Sequence, residues 1–432
     1  MVTSTFLRLL SGLLSRDLLI HLIRFSSPYR GRRSSLVGRS PSPSFDISVQ
    51  HAPVHQTPQV RVMPQPTLVP VNPPAPANYV ITEEDKANMG KNAMPSIPFQ
   101  NQDAFEASIG FRKLGYGSLE LNNLVDNYDY MCRDVIRLVR DCKFTDIEEI
   151  WFKFWSGAYG VNHNTLLALC SLERVQEHII EVDLALYQTC VDILIPNVLL
   201  SQLTPGMTQA CRTFAKNIDV YLRKALQNGK ISDAFIKKKI QAIKYMQQGM
   251  KRYTSLNHLA HAARGVLMKG EQVGQMHQDY QKVDINAVHQ QAGWICGCDS
   301  VMVHHVNNAF KDNLQRMSSM EVWAEWLESI VDQVLAKYHD KPASVVANVG
   351  KQFLLNWSFY TSMIIRDLTL RSAMSFGSFT LIRLLADDYM YYLIESKIAK
   401  AGKQQLITVI RQEKDWPLST TAQEYIVPAN DE

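Results

Sequence analysis

Three places in the sequence bring together side chains of a type and spacing that can do chemistry. Asp387 and Asp388 are adjacent. On a helix, a carboxylate pair holds a divalent metal against a diphosphate when a third carboxylate stands one turn further on. Positions 391 and 392 are both Tyr, so the third ligand is missing and the pair is expected as solvated or salt-bridged charge on a helix face. The run WICGCDSVMVHH, residues 294–305, supplies Cys296, Cys298, His304 and His305, four ligands of the kind zinc takes. A C-x-C on a helix sends its thiols to different sides and adjacent histidines diverge, so core cysteines and half-exposed histidines are expected instead of a metal. The third place is Lys237-Lys238-Lys239, beside the apolar Ile236 and Ile240. A solvated helix face is the default for such a run, with phosphate contact or nuclear import as the sharper alternatives.

The common enzyme signatures do not occur: no glycine-rich phosphate loop, HExxH or GxSxG is present. No Glu-x-x-His occurs either, which removes the helical di-iron motif. No catalytic, cofactor-binding or metal-ligating residue is assigned, and the expectation is a protein that is not an enzyme.

These side chains must be held by something, and the composition says what. The 432 residues are 46 % apolar with 20 Gly and 18 Pro, enough for a large core. Charge is uneven. Residues 1–80 hold eight Arg, two Asp and no Lys or Glu, a balance of +6, so the remainder sums to −2 against a whole-chain +4. The remainder is therefore not a basic body. The seven Cys fall mostly within apolar helical patterns, as buried free thiols do in a reducing compartment.

Residues 1–25 read as an amphipathic leader of uncertain status, interrupted by Arg8, Arg16, Asp17 and His21, and too broken to span a membrane. Eleven of the 18 prolines precede residue 77. The Pro/Ser/Gln-rich segment 26–114 is expected to be a disordered linker, because it cannot bury enough apolar surface to offset its ordering entropy. Residues 401–432 are expected to form a flexible tail.

Between 115 and 400 the apolar period is three to four residues, as in Leu121, Leu124, Tyr128, Met131, Val135, Leu138 and Cys142. Thr145 and Glu148 suggest a capping box, Thr204-Pro205-Gly206 marks a break, and Ser232 suits an N-cap. No period-2 run is evident. The expected fold is all-α, one large multi-helix domain of about ten helices preceded by the disordered N-terminal segment.

Several long stretches, in order, resemble one family. RYTSLNHLAHAARGVL (252–267), KVDINAVHQQAGWICGCD (282–299), QFLLNWSFYTSMIIRDLTLRSAMSFGSF (352–379) and LIRLLADDYMYYLIES (381–396) resemble the C-terminal extended dimerisation region of regulatory factor X (RFX) transcription factors. LYQTCVDILIPNVL and MTQACRTFAKNIDVYLRKAL match less literally. The resemblance covers about 115–400 and is nearest to the subgroup tied to ciliary genes. It implies a nuclear regulator of RNA polymerase II genes with X-box promoters, acting as a homodimer or as a heterodimer with RFX-family members, recruiting transcriptional co-regulators, and with no cofactor or membrane role. RFX proteins read the X-box through a winged-helix domain, and nothing in residues 1–116 matches its basic recognition segment. Direct DNA binding is accordingly expected only from a full-length form or a partner. The alternative is a helical scaffold, or a dominant-negative dimerisation partner with no direct DNA binding.

Within the resemblance, residues 352–393 are the expected dimer element. Phe353, Trp357, Ile364, Ile365, Phe376, Phe379, Leu381, Leu385, Tyr389 and Tyr392 offer apolar area, and Trp and Tyr are enriched at hot spots. Arg366, Asp367, Arg371, Arg383 and Asp388 are expected to set register. Gly377 is read as the break between two helices, with Phe376 and Phe379 at the corner.

Overall fold

A computed structural model describes residues 81–409. The leader and the proline-rich stretch up to 80, and the tail beyond 409, lie outside the described residues. Within them the fold is all-α, with twelve helices of eight residues or more where about ten were expected, and no strand.

The order begins earlier than the sequence suggests. Residues 81–114, expected as linker, carry three short helices: α1 (Glu83–Ala87), α2 (Gln102–Glu106) and α3 (Ile109–Arg112). Met89, Met94, Phe99 and Phe111 are buried in the common core. A polar latch fixes the start. Thr82 and Asp85 form a capping box, and Asp85 Oδ1 also accepts from Thr204 Oγ1 at 2.7 Å, across 119 residues of chain. Burial raises the Asp85 carboxyl, but the hydrogen bonds from Thr82 and Thr204 outweigh it and hold the group below its ordinary value. Four spaced hydrophobes and one carboxylate therefore order a segment whose average composition looks disordered. The far end is corrected in the same way. Ile407 is buried, and its N–H donates to Gln188 Oε1 at 2.9 Å, so 401–409 is packed.

The first group of long helices is α4 (Ser118–Arg140), α5 (Ile147–Trp155), α6 (His163–Cys170), α7 (Glu173–Leu194) and α8 (Pro205–Asn228). The break at Thr204 is a helix start: its hydroxyl caps Met207 N–H and Pro205 takes the first turn. The capping box expected at Thr145 and Glu148 does not form. Phe144–Asp146 is a 3₁₀ turn instead, and α5 starts after it without a side-chain cap. α9 (Asp233–Leu267), capped by Ser232 as expected, is the spine. Its 35 residues span about 52 Å. Its first half packs on α7 and α8, and its second half on the later helices.

That second group is α10 (Gly270–Gln281), α11 (Ile285–Cys296), α12 (Ser300–Gln315), α13 (Met320–Leu335), α14 (Ala343–Leu370) and α15 (Phe376–Ala401). α14 and α15 form the most extensively packed pair. Gly350 lets them close: a Cβ there would lie 2.5 Å from Ile394 Cγ2. Arg252 of α9 makes a two-pronged bond to the buried Glu395 of α15, at 2.7 and 3.0 Å, which fixes the spine to this pair.

The expected break at Gly377 is displaced. α14 ends in a C-cap motif at Ser372, φ 49°, with Ala373 N–H bonded to Leu368 O and Ser372 N–H to Thr369 O. Gly377 sits inside the first turn of α15 and has open space around it. A non-glycine residue in the left-handed conformation ends the helix, which hides the boundary from a search for glycine.

Candidate functional site

The sequence-predicted dimer residues all lie on α14, α15 or the corner between them, but they face different ways. Trp357, Ile364, Phe379, Leu385 and Tyr389 are buried within the chain. Phe353, Ile365, Leu381 and Tyr392 are half-buried, and Phe376 is exposed. Phe379 lies near the rings of Tyr280 and Phe310, at centroid distances of 6.0 and 6.2 Å. Tyr392 meets Tyr253 edge-on at 5.4 Å. Trp357, Ile364, Ile365, Phe379, Arg383 and Leu385 line an apolar cleft enclosing about 780 Å³, part of it open to solvent, together with residues of α10, α12 and α13. For the five buried residues the expectation of free interface area is corrected: their apolar surface already serves this chain's own core.

The charged residues are also placed. Asp367 and Arg371 pair with each other at 2.6 Å, and Asp367 Oδ2 accepts the Asp284 N–H at 3.3 Å, which ties the start of α11 to the end of α14. Arg383 donates to Ser362 Oγ at 2.7 Å and pairs with Asp387 at 3.3 Å. Arg366 and Asp388 are exposed. The acid pair thus splits. Asp388 points outward, while Asp387 forms a polar rung between α14 and α15, accepting the Trp357 Nε1–H at 2.8 Å.

Burial pushes the Asp387 carboxyl up to about 6, against the pull of Arg383 and the Trp357 hydrogen bond. The unfolded carboxyl titrates near 4. Between those two values the folded state keeps a proton that the unfolded state has released. Stability therefore falls as pH rises from about 4 to about 6 and stays lowered above that. Asp387→Asn should remove this step, changing the pH dependence of the unfolding free energy from urea titration relative to wild type by on the order of 2 kcal/mol between pH 4 and 7. Parallel midpoint curves for the two proteins would contradict the assignment.

Solvent-exposed apolar side chains gather at the α14–α15 corner, where Leu370 and Met374 are 73 % and 85 % exposed and Phe376 is 39 % exposed. Trp294, at the end of α11, is 86 % exposed. α11 packs on α14, so this tryptophan belongs to the same group of helices. Trp294, Leu370 and Met374 are not among the residues expected at the interface. The signal for Trp294 was a tryptophan at the glycine-flanked end of a short helix, where no following turn can cover it.

The C-x-C expectation is corrected. α11 ends at Cys296 and Gly297 turns left-handed, φ 60°, so the two cysteines do not share one helix, and burial, with Cys298 adding to it, pushes Cys296 up to about 11. His304 packs edge-on against His289 at 4.5 Å. Among the described residues no group of three or more His, Cys, Asp or Glu could hold a metal ion. No helix among them is long and apolar enough to cross a membrane.

A second polar cluster, also unforeseen, lies in the first helical group. Lys239, expected on a solvated face, is 1 % exposed. Its Nζ donates to Asp183 Oδ2 at 2.5 Å and to Tyr128 Oη at 2.7 Å, and the Tyr128 hydroxyl donates in turn to Asp183 Oδ1. The rings of Tyr128, Trp155 and Phe235 surround the ammonium at 5.2, 5.0 and 5.8 Å. The cluster locks α4, α5, α7 and α9 together. Lys239 and Asp183 are both buried, so the role of the cluster is architectural.

Comparison with known proteins places this architecture. The family model of the RFX BCD domain matches residues 124–401. The chain is 70 % identical over 402 residues to the RFX-like transcription factor daf-19 of Caenorhabditis elegans, covering 92 % of this chain and 49 % of that protein. It is 40 % identical over 346 residues to transcription factor RFX3 of Danio rerio, covering 76 % and 44 %, and 39 % identical over 327 residues to transcription factor RFX3 of Homo sapiens, covering 68 % and 43 %. No solved structure matches. The chain spans about half the length, or less, of these curated relatives. With the domain match running from within α4 to the last residue of α15, the chain belongs to the RFX family of transcription factors.

Proposed function

We propose that this chain supplies the dimerisation and effector-recruiting body of a nuclear RFX-type regulator acting at X-box promoters of RNA polymerase II genes, ciliary genes among them. The observation that carries the reading is the match of residues 124–401 to the RFX BCD domain, a span that includes the exposed apolar α14–α15 corner. An all-helical body with a sum of −2 over residues 81–432 suits protein contact better than base readout, which needs side chains reaching base edges in a groove. Sequence-specific contact with the X-box is then the work of a winged-helix domain in a longer form of the chain or in a heterodimer partner.

Chromatin immunoprecipitation of the tagged chain, with and without a co-expressed full-length RFX protein, tests this. Enrichment at X-box promoters that depends on the full-length protein is expected. No enrichment in either condition would leave a helical scaffold with no promoter role and would overturn the reading.

A further inference from the structure

The basic run around Lys237 is absorbed only in part by the buried cluster. α8 and α9 together hold eleven Lys and Arg against two acids, Asp219 and Asp233, a balance of +9 in a body whose other residues from 81 to 432 sum to −11. Five of those cations have partners inside the chain. Lys239 and Arg252 reach the buried Asp183 and Glu395, and Lys224, Lys238 and Arg264 reach Glu148, Glu173 and Glu321. The other six are Arg212, Lys216 and Arg223 on α8 and Lys237, Lys244 and Lys251 on α9. All six are exposed, and among the described residues none has a carboxylate within ion-pair distance.

The six fall on one surface. Lys237, Lys244 and Lys251 stand seven residues apart, two turns each, so they form a straight row about 21 Å long. Exposed Gln241 and Gln248 lie between them. The two helices run antiparallel through a tight turn: Lys230 takes a left-handed φ of 54°, and Gly229 abuts Trp155, whose carbonyl oxygen would lie 2.4 Å from any Cβ. Their seam is marked by Gln247, which donates to Ala215 O at 2.7 Å and to Asp219 Oδ1 at 2.9 Å. Arg212, Lys216 and Arg223 lie within about 60° of Asp219 around α8, and Lys244 and Lys251 within about 60° of Gln247 around α9. Both rows therefore border the same seam, and Asp219, the one acid there, is half-buried and already held by Gln247.

We propose that the α8–α9 hairpin is a docking surface for the phosphodiester backbone of a nucleic-acid duplex, contacted without base readout. Two rigid rows of cations with interleaved Gln amides match what phosphate oxygens accept. An acidic peptide fits less well. A peptide interface needs a buried apolar anchor, and the only large apolar side chain exposed on these two helices is Val220, 47 % exposed. The surface is separate from the α14–α15 corner, so it can act in a monomer or a dimer.

The test is fluorescence anisotropy of the full chain with a labelled 20-base-pair duplex of arbitrary sequence lacking an X-box, as DNA and as RNA, over a range of salt. The six residues are changed to Gln together, and a control protein carries Lys337→Gln, Lys341→Gln and Lys400→Gln, exposed cations elsewhere. Wild type and control should bind alike with a steep salt dependence. The hairpin variant should lose at least about tenfold in affinity, and its salt slope should fall by about 0.9 for each phosphate contact removed. DNA and RNA binding equally would assign the surface to the backbone alone, and DNA preferred would assign it to the B-form groove spacing. Because residues 1–80 carry +6, the decisive quantity is the difference between variant and control. An unchanged affinity and slope in the hairpin variant, or displacement by polyglutamate at the same charge concentration as duplex, would overturn the proposal.

Discussion

Lys239→Met should destabilise the folded chain by about 3 to 5 kcal/mol, read as a lowered urea midpoint, although a methionine fills nearly the same volume. The loss is electrostatic in origin. Asp183 is 2 % exposed, and without the ammonium its carboxylate keeps only the Tyr128 hydroxyl as a partner. Desolvation already pushes this carboxyl up, with Lys239 as the main opposing influence. Removing both charges is a different matter: Lys239→Met with Asp183→Leu should recover most of the stability, because a buried pair is often worth no more than well-packed apolar groups. A single variant as stable as wild type would show that the cluster does not hold α4, α5, α7 and α9 together.

The second large effect is expected on association. Met374→Asp with Phe376→Asp puts two charges on the exposed α14–α15 corner, away from the buried aromatics that support the fold. If that corner meets a partner, the dimer dissociation constant should rise by about a hundredfold or more, on the order of 3 kcal/mol. The helical circular dichroism and the melting temperature should barely change, since neither side chain is buried. Wild-type association in this variant would move the interface elsewhere, with the exposed Trp294 the next residue to change.

Most of the fold was legible because helix periodicity is a local signal. The apolar period gave α4 directly, and Thr204 and Ser232 marked the true starts of α8 and α9. The misses have physical reasons. Residues 81–114 look like linker in composition, yet Asp85 reaching Thr204 and a few spaced hydrophobes are enough to order them, and a contact across 119 residues leaves no local trace. The end of α14 was misplaced because Ser372 adopts a conformation that glycine usually supplies. Lys239 was readable in principle: it lies three residues after Ile236 and four before Ile243, on the apolar face, and only its charge argued otherwise. The site was less legible than the fold. Composition places aromatic residues on α14 and α15, but which of them face inward depends on α10, α12 and α13 arriving from elsewhere in the chain. Trp357 and Phe379 therefore turned out to be core, while Met374 and Leu370, unremarkable in sequence, are the open apolar surface.

Sedimentation velocity of the full chain between 1 and 50 µM, ranges chosen to bracket about micromolar affinity, tests the dimerisation reading most directly. The expected result is a species of twice the 49.1 kDa chain mass that gives way to monomer in the Met374→Asp, Phe376→Asp variant. A wild-type chain that stays at 49.1 kDa across the whole range would contradict it.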